Sequence, residues 1–314
     1  MLSTKTDIKK TANLIGFAYT AMFVLSAVLE LILLLVLTLC GYSPEELVAF
    51  VGNNTVLMLL QIVVSGLMFT LPYMVIAKCD KRRIRELINF QKIEKGTLVP
   101  FVLLGVGVCK IAEFLAMQCG NIFTLFGITP SYNMGFTFER DIFSVVLAFL
   151  SVAVLPPLVE EFAVRGVVLG MLRPYGESFS IILSALFFGC MHGNLVQIPF
   201  AVVVGLGLGF ITVKSGSMLP AIIVHFINNL TSVVMEYLLE GAELWTGNLA
   251  HIIIGVVWVF LGLLGLLLLS KRTDVFAPSK SVEEIPLRKK IGWSLGTPGV
   301  IIAVIITVVK ILTA

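Results

Sequence analysis

Apolar residues run along this chain in long blocks broken by short polar stretches, and the block length predicts membrane helices. About 20 apolar residues cross a bilayer core. On that criterion the predicted spans are 12–39, 56–77, 97–118, 141–173, 180–192, 196–213, 218–239, 249–270 and 294–313. The expected fold is all-α, a polytopic membrane protein with eight or nine transmembrane helices. The block at 180–192 is short for a span and that at 141–173 is long. Pro156 and Pro157 fall inside the long block. They predict a kink there or a split into two helices, because proline lacks an N–H and crowds the preceding turn.

Composition agrees with the pattern. At 58% hydrophobic and 13% charged residues the chain lies outside the soluble globular range. Lys5, Lys9 and Lys10 precede the first block as they would in a signal peptide. That block is too long for one, contains Glu30 and lacks a small-residue cleavage site, so it reads as the first span. No soluble domain is visible. Three regions are expected: 1–140 with the N-terminal spans and a basic loop, 141–240 as a catalytic core, and 241–314 with the C-terminal spans. The five cysteines are scattered without a CxxC pair and signal neither disulfides nor a metal cluster. Gly205 and Gly209 have the spacing of close helix packing, with Gly207 between them.

Charge gives orientation. With the N-terminus inside, segments 1–11, 78–96, 173–179, 214–217 and 271–293 hold 18 of the 22 Lys and Arg. The outer loops 40–55 and 240–248 carry Glu45, Glu46, Glu240 and Glu243 and no basic residue; Arg140 and Lys310 fall on the outer side. This positive-inside pattern predicts a multi-pass cell-membrane protein with a cytoplasmic N-terminus. The basic stretch from Lys78 to Lys95 reads as a loop facing anionic lipid heads. Membrane lipid is the expected partner, and nucleic acid is not.

Polar residues inside the blocks carry the chemistry. Glu160, Glu161 and Arg165 lie within six residues of the fourth block. Each such group costs about 2.5–3.5 kcal/mol at a membrane helix centre on insertion scales, so groups retained there are expected to be used. His192 lies in the fifth block, and His225 and Asn229 in the seventh. Measured from the inner ends of their helices, Glu160, His192 and Asn229 lie about 18–20 Å deep and His225 about 12 Å, at 1.5 Å per residue. Side chains from three helices therefore share one layer, which predicts an intramembrane active-site cavity.

Spacing within each helix divides the roles. Glu161 and Arg165 are i,i+4 and can pair; His225 and Asn229 share a face for the same reason; Phe188 can pack beneath His192. Glu160 projects about 100° from Glu161 on a regular helix. Either Glu161 serves Arg165 while Glu160 faces the cavity, or both carboxylates face a wet cavity from adjacent directions. A carboxylate and an imidazole across a water are parts for activating that water. A second imidazole and an amide N–H can donate to an oxyanion. Amide hydrolysis within the membrane is the reaction these groups suit. Lys110 and Glu113 are expected to pair, His251 to sit at the outer interface, and Asn228 neighbours Asn229 closely enough to be mistaken for it.

Glu160-Glu161-Phe162-Ala163-Val164-Arg165, Phe188-Gly189-Cys190-Met191-His192 and His225-Phe226-Ile227-Asn228-Asn229 resemble the EExxxR, FxxxH and HxxxN motifs of the CPBP family. These are the CAAX proteases and bacteriocin-processing enzymes, also called Abi. The resemblance covers about 141–230. It implies an intramembrane endopeptidase acting on a membrane-associated or prenylated-type, CAAX-like peptide or protein. Glu160 and His192 would activate water, His225 and Asn229 would stabilise the oxyanion, and Glu161 and Arg165 would support the site. The family is described both as metalloproteases and as glutamate-type proteases, so zinc and no cofactor both stand. Glu160, His192 and His225 are the candidate zinc ligands, although no HExxH is present. Other classes fitting the same polar residues are a transporter or proton relay, and a catalytically idle immunity or assembly factor. No inverted repeat is visible, which counts against the transporter.

Overall fold

The computed structural model describes residues 4–80, 82, 84–88, 90–128, 141–239, 244–272, 275–276 and 285–313. Arg140, Glu240 and Glu243, which entered the charge reading, lie outside the described residues. Eleven elements are labelled here: α1 Lys5–Leu39, α2 Pro44–Val51, α3 Asn54–Cys79, α4 Leu98–Leu125, α5 Ile142–Tyr175, α6 Glu177–Met191, α7 Gln197–Ser215, α8 Leu219–Leu239, α9 Leu244–Ser270, α10 Leu287–Leu295 and α11 Pro298–Thr313. A single helical turn, Ile84–Leu87, lies between α3 and α4. The protein is an all-α polytopic membrane protein. Seven described helices are long and apolar enough to cross a membrane, and eight if α10 and α11 form one span. The expected span 180–192 corresponds to the 15-residue α6, which is shorter than the other apolar helices that could cross.

Two expectations about continuity change. The block 294–313 is not one straight helix: α10 and α11 meet at a 73° bend. Gly296 and Thr297 turn back onto Gly292 and Ser294, and Pro298 brings no N–H to carry the helix across. Conversely, the proline pair does not split α5, which runs on through two π-helical stretches, Phe149–Val154 and Phe162–Val168. A π turn takes one extra residue and re-sets the hydrogen-bond register, so the prolines fall where fewer donors are required.

Short connections fold 142–239 into consecutive hairpins. Gly176 turns the chain between α5 and α6 with φ 121°, and Gly216 ends α7 with φ 69°, both conformations that favour glycine. Glycine also sets how closely the helices approach. A Cβ on Gly205 would lie 2.9 Å from Ala185 Cα of α6, whereas one on Gly207 would meet Val108 of α4 at 2.7 Å. The expected close packing of α7 is therefore two-sided. The surroundings of Glu161 and Arg165 are apolar and closed, with Ala163, Val164, Val167, Val168, Phe179 and Leu183 buried. Lys110 pairs with Glu113, and His251 is exposed.

Candidate active site

The pattern Pro156-Pro157 has a backbone consequence one turn earlier. In an α-helix the Val152 carbonyl would accept from residue 156, and in a π-helix from residue 157; neither has an N–H. Leu155 N–H goes to Leu150, so it does not serve Ser151 or Val152. A buried carbonyl without a donor is costly, so side chains are recruited from other helices. Asn229 Nδ2 of α8 donates to the Val152 carbonyl at 2.9 Å, and Gln61 Nε2 of α3 reaches that of Ser151 at 3.5 Å. Asn228 Nδ2 donates to Asn229 Oδ1 at 3.2 Å, which holds the amide plane. Gln61 was not among the expected site residues, yet the proline pair carried the signal: two carbonyls on α5 needed outside donors.

One turn on, the acids and the guanidinium are enclosed. Arg165 Nη1 donates to Glu161 Oε1 at 2.9 Å, and the two side chains are 1% and 0% exposed. The same oxygen accepts from His225 Nδ1 at 2.9 Å. The other ring nitrogen of His225, Nε2, lies 3.9 Å from Glu160 Oε2. Two arrangements were open for the acids: Glu161 on Arg165 with Glu160 in the cavity, or both carboxylates facing it from adjacent directions. One imidazole from α8 stands between them, held by Glu161, which also keeps Arg165, and facing Glu160. Glu161 Oε2 and Arg165 Nε and Nη2 are buried without hydrogen-bond partners.

Phe188 brings in the third helix. Its ring packs edge-on to His192 with centroids 5.1 Å apart and to His225 at 6.1 Å, and the Arg165 guanidinium lies 4.3 Å over it. His192 is the C-cap of α6, where Gly193 with φ 61° stops the helix. Its Nδ1 contacts the Phe188 carbonyl at 2.9 Å. A carbonyl only accepts, so Nδ1 carries the proton and a neutral ring keeps its lone pair on Nε2. Tyr19 of α1 donates to the Cys190 carbonyl at 2.7 Å, closing this helix end from outside.

Glu161, Arg165 and His225 thus form one hydrogen-bonded unit that Glu160 faces, with Phe188 linking it to His192. Asn229, on the same face of α8 as His225, is anchored to the α5 backbone. The expected zinc set of Glu160, His192 and His225 does not fit a metal as these side chains stand. Among the described residues no group of three or more His, Cys, Asp or Glu is arranged to hold an ion. With Nδ1 of His225 on Glu161 and Nδ1 of His192 on a carbonyl, Nε2 is the ring atom left on each for other partners.

Anchoring of Asn229 makes a prediction that separates structure from chemistry. Asn229→Ala leaves the Val152 carbonyl bare, a loss of about 1–3 kcal/mol of stability. Pro156→Ala returns an N–H at the position that would serve this carbonyl in an α-helix. The double variant should recover most of the stability lost by Asn229→Ala, read as thermal unfolding in detergent. Equal losses in the single and double variants would show that the carbonyl is not what Asn229 serves.

Comparison of the chain with curated proteins and with solved structures returns no match. A family model described as type II CAAX prenyl endopeptidase Rce1-like matches residues 142–231. That range begins with α5 and ends two residues beyond Asn229. The segment carrying all three motifs is therefore similar to the Rce1-like CAAX prenyl endopeptidases, a match over 90 of the chain's 314 residues.

Proposed function

We propose that this chain is an intramembrane endopeptidase that cleaves a CAAX-like or other membrane-associated peptide with a water activated by Glu160 and His192. The observation that carries the reading is the placing of His225, with Nδ1 on Glu161 and Nε2 facing Glu160. Glu160 takes a proton from water as the oxygen attacks the peptide carbonyl. The negative charge then forming on that carbonyl oxygen is met by donors from His225 Nε2 and from the second N–H of Asn229. For His225 to donate there its ring must carry both protons, with the Glu161 carboxylate on Nδ1 as counter-charge. The proton held by Glu160 passes to the leaving amine as the C–N bond breaks. His192, with its lone pair on Nε2, shares the water from the opposite side.

The gathering of basic loops at one end supports an N-terminus and a site entrance on the cytoplasmic side. Prenylated or bacterial peptide substrates fit this arrangement equally, so the test begins with a panel of membrane-anchored peptides ending in CAAX-type sequences. Cleavage that depends on Glu160 supports the reading.

In this mechanism catalysis does not require a bound metal. Protein stripped with a chelator and shown metal-free by elemental analysis is expected to keep its peptidase activity. One tightly held zinc per chain, with activity lost on its removal and restored on its return, would overturn the water-only mechanism.

A further inference from the structure

The proposed reaction leaves one intramembrane cation without a task, Lys110 of α4. Counted from Leu98 it lies about 18 Å along its helix, the depth counted for Asn229. A lysine kept at that depth is costly. Glu113, one turn on, accepts a hydrogen bond from its Nζ, but the pair is lopsided. The Lys110 side chain is 13% exposed and that of Glu113 49%, so the carboxylate is the outer member and the lysine the inner one.

On its inner side Lys110 shares a cavity of about 10 Å³ with Asn228 and Thr231 of α8, walled by Val106, Ile227 and Trp258. That volume is about one water, and a water needs two to four polar partners to stay. Three are present. Thr231 Oγ1 donates to the Ile227 carbonyl at 2.7 Å, so what it has left to offer is its lone pairs. Asn228 gives Nδ2 to Asn229 Oδ1 at 3.2 Å, which leaves its own Oδ1 as an acceptor. Lys110 carries three N–H donors, of which Glu113 takes one.

We propose that this cavity binds one water and that Lys110, acting through it, is a positioning residue for Asn229. The water accepts from Lys110 Nζ and donates to Asn228 Oδ1 and Thr231 Oγ1. Asn228 donates to Asn229, and Asn229 donates to the Val152 carbonyl and, in the proposed reaction, to the oxyanion. Every donor in this series points the same way, from a cation toward the place where negative charge forms. Hydrogen bonds aligned in that manner polarise and strengthen one another. The oxyanion end rests on the peptidase reading; the water and the series behind Asn229 do not.

Two arms test this on the full-length protein, both in a background of Lys110→Met with Glu113→Leu. That pair of changes removes the ion pair whole, which a pair kept only for charge balance would tolerate. The first arm needs no peptide. Asn228→Ala lowers the unfolding midpoint, and should lower it less in the altered background than in the parent, because both changes break one series. Thr231→Val, which takes an acceptor from the water and touches no charge, should couple to Asn228→Ala in the same way. Equal shifts in all backgrounds overturn the proposal. The second arm reads cleavage of a membrane-anchored CAAX-type peptide. The altered background is expected to stay as stable as the parent, with kcat about tenfold lower and KM kept, as for an oxyanion donor that is present but poorly aimed. An unchanged kcat would show that Lys110 does no more than balance Glu113, and overturns the positioning role. Unequal shifts in a protein that cleaves no peptide would keep the water and its series and remove the peptidase reading instead.

Discussion

Glu160→Gln is expected to remove peptide hydrolysis while leaving the fold in place. The substitution keeps the size of the side chain and takes away the oxygen that accepts a proton. General-base catalysis contributes about 10²–10⁴-fold, and a loss in that range should appear in kcat. His192→Ala should give a loss of similar size if His192 shares the water, because Nδ1 held by the Phe188 carbonyl leaves the lone pair on Nε2. The check is single-turnover cleavage of a CAAX-type peptide beside a thermal scan of each variant. Turnover by Glu160→Gln within tenfold of the unaltered protein, with no shift in unfolding, would remove Glu160 from the base role.

Arg165→Met should have the largest effect on stability. The Glu161–Arg165 pair is fully enclosed, and a buried ion pair adds little net stability compared with apolar residues of the same volume. Breaking it from one side is different, because the carboxylate left behind is buried with only His225 to answer it. The expected cost is about 3–5 kcal/mol. The double variant Glu161→Leu, Arg165→Met should recover much of that stability and still be inactive, because His225 has lost its Nδ1 acceptor. A single Arg165→Met variant as stable as the parent would mean that the pair does not carry the charge balance of the site.

The chemistry-bearing residues were legible because a bilayer leaves few reasons to keep a polar group at depth. Glu160, Glu161, Arg165, His192 and His225 stood out against apolar neighbours, and counting 1.5 Å per residue put them in one layer. The i,i+4 pairing of Glu161 with Arg165 and the packing of Phe188 on His192 followed from helix geometry alone. The meeting of His225 with both carboxylates did not. That contact depends on how α8 crosses α5 and on the π stretches flanking Leu155–Glu161, where a fixed 100° step no longer holds. The 78–96 segment was read as a lipid-facing basic loop, since polar residues without periodicity give no packing signal. Within it, Arg82 also donates to the Gly170 carbonyl near the end of α5, and Leu87 is buried against Gly170. The break between α10 and α11 was written in Pro298 but masked by apolar residues on both sides.

The shortness of α6 has a consequence for the surrounding lipid. Fifteen residues of helix measure about 22 Å, while the hydrocarbon layer is about 30 Å thick. Tilting shortens a helix further against the membrane normal, so it cannot make up this difference. The balance falls to local thinning of the bilayer or to protein cover, each at a fraction of a kcal/mol per ångström of mismatch. Tyr19 provides cover on one side by taking the Cys190 carbonyl. The rest of that helix end is enclosed by protein, with Phe187, Phe188, Gly189 and Met191 buried, so neighbouring helices cover the deficit. A helix covered in this way can stop short of the far side of the bilayer, which leaves its C-cap, His192, inside the protein rather than among the headgroups.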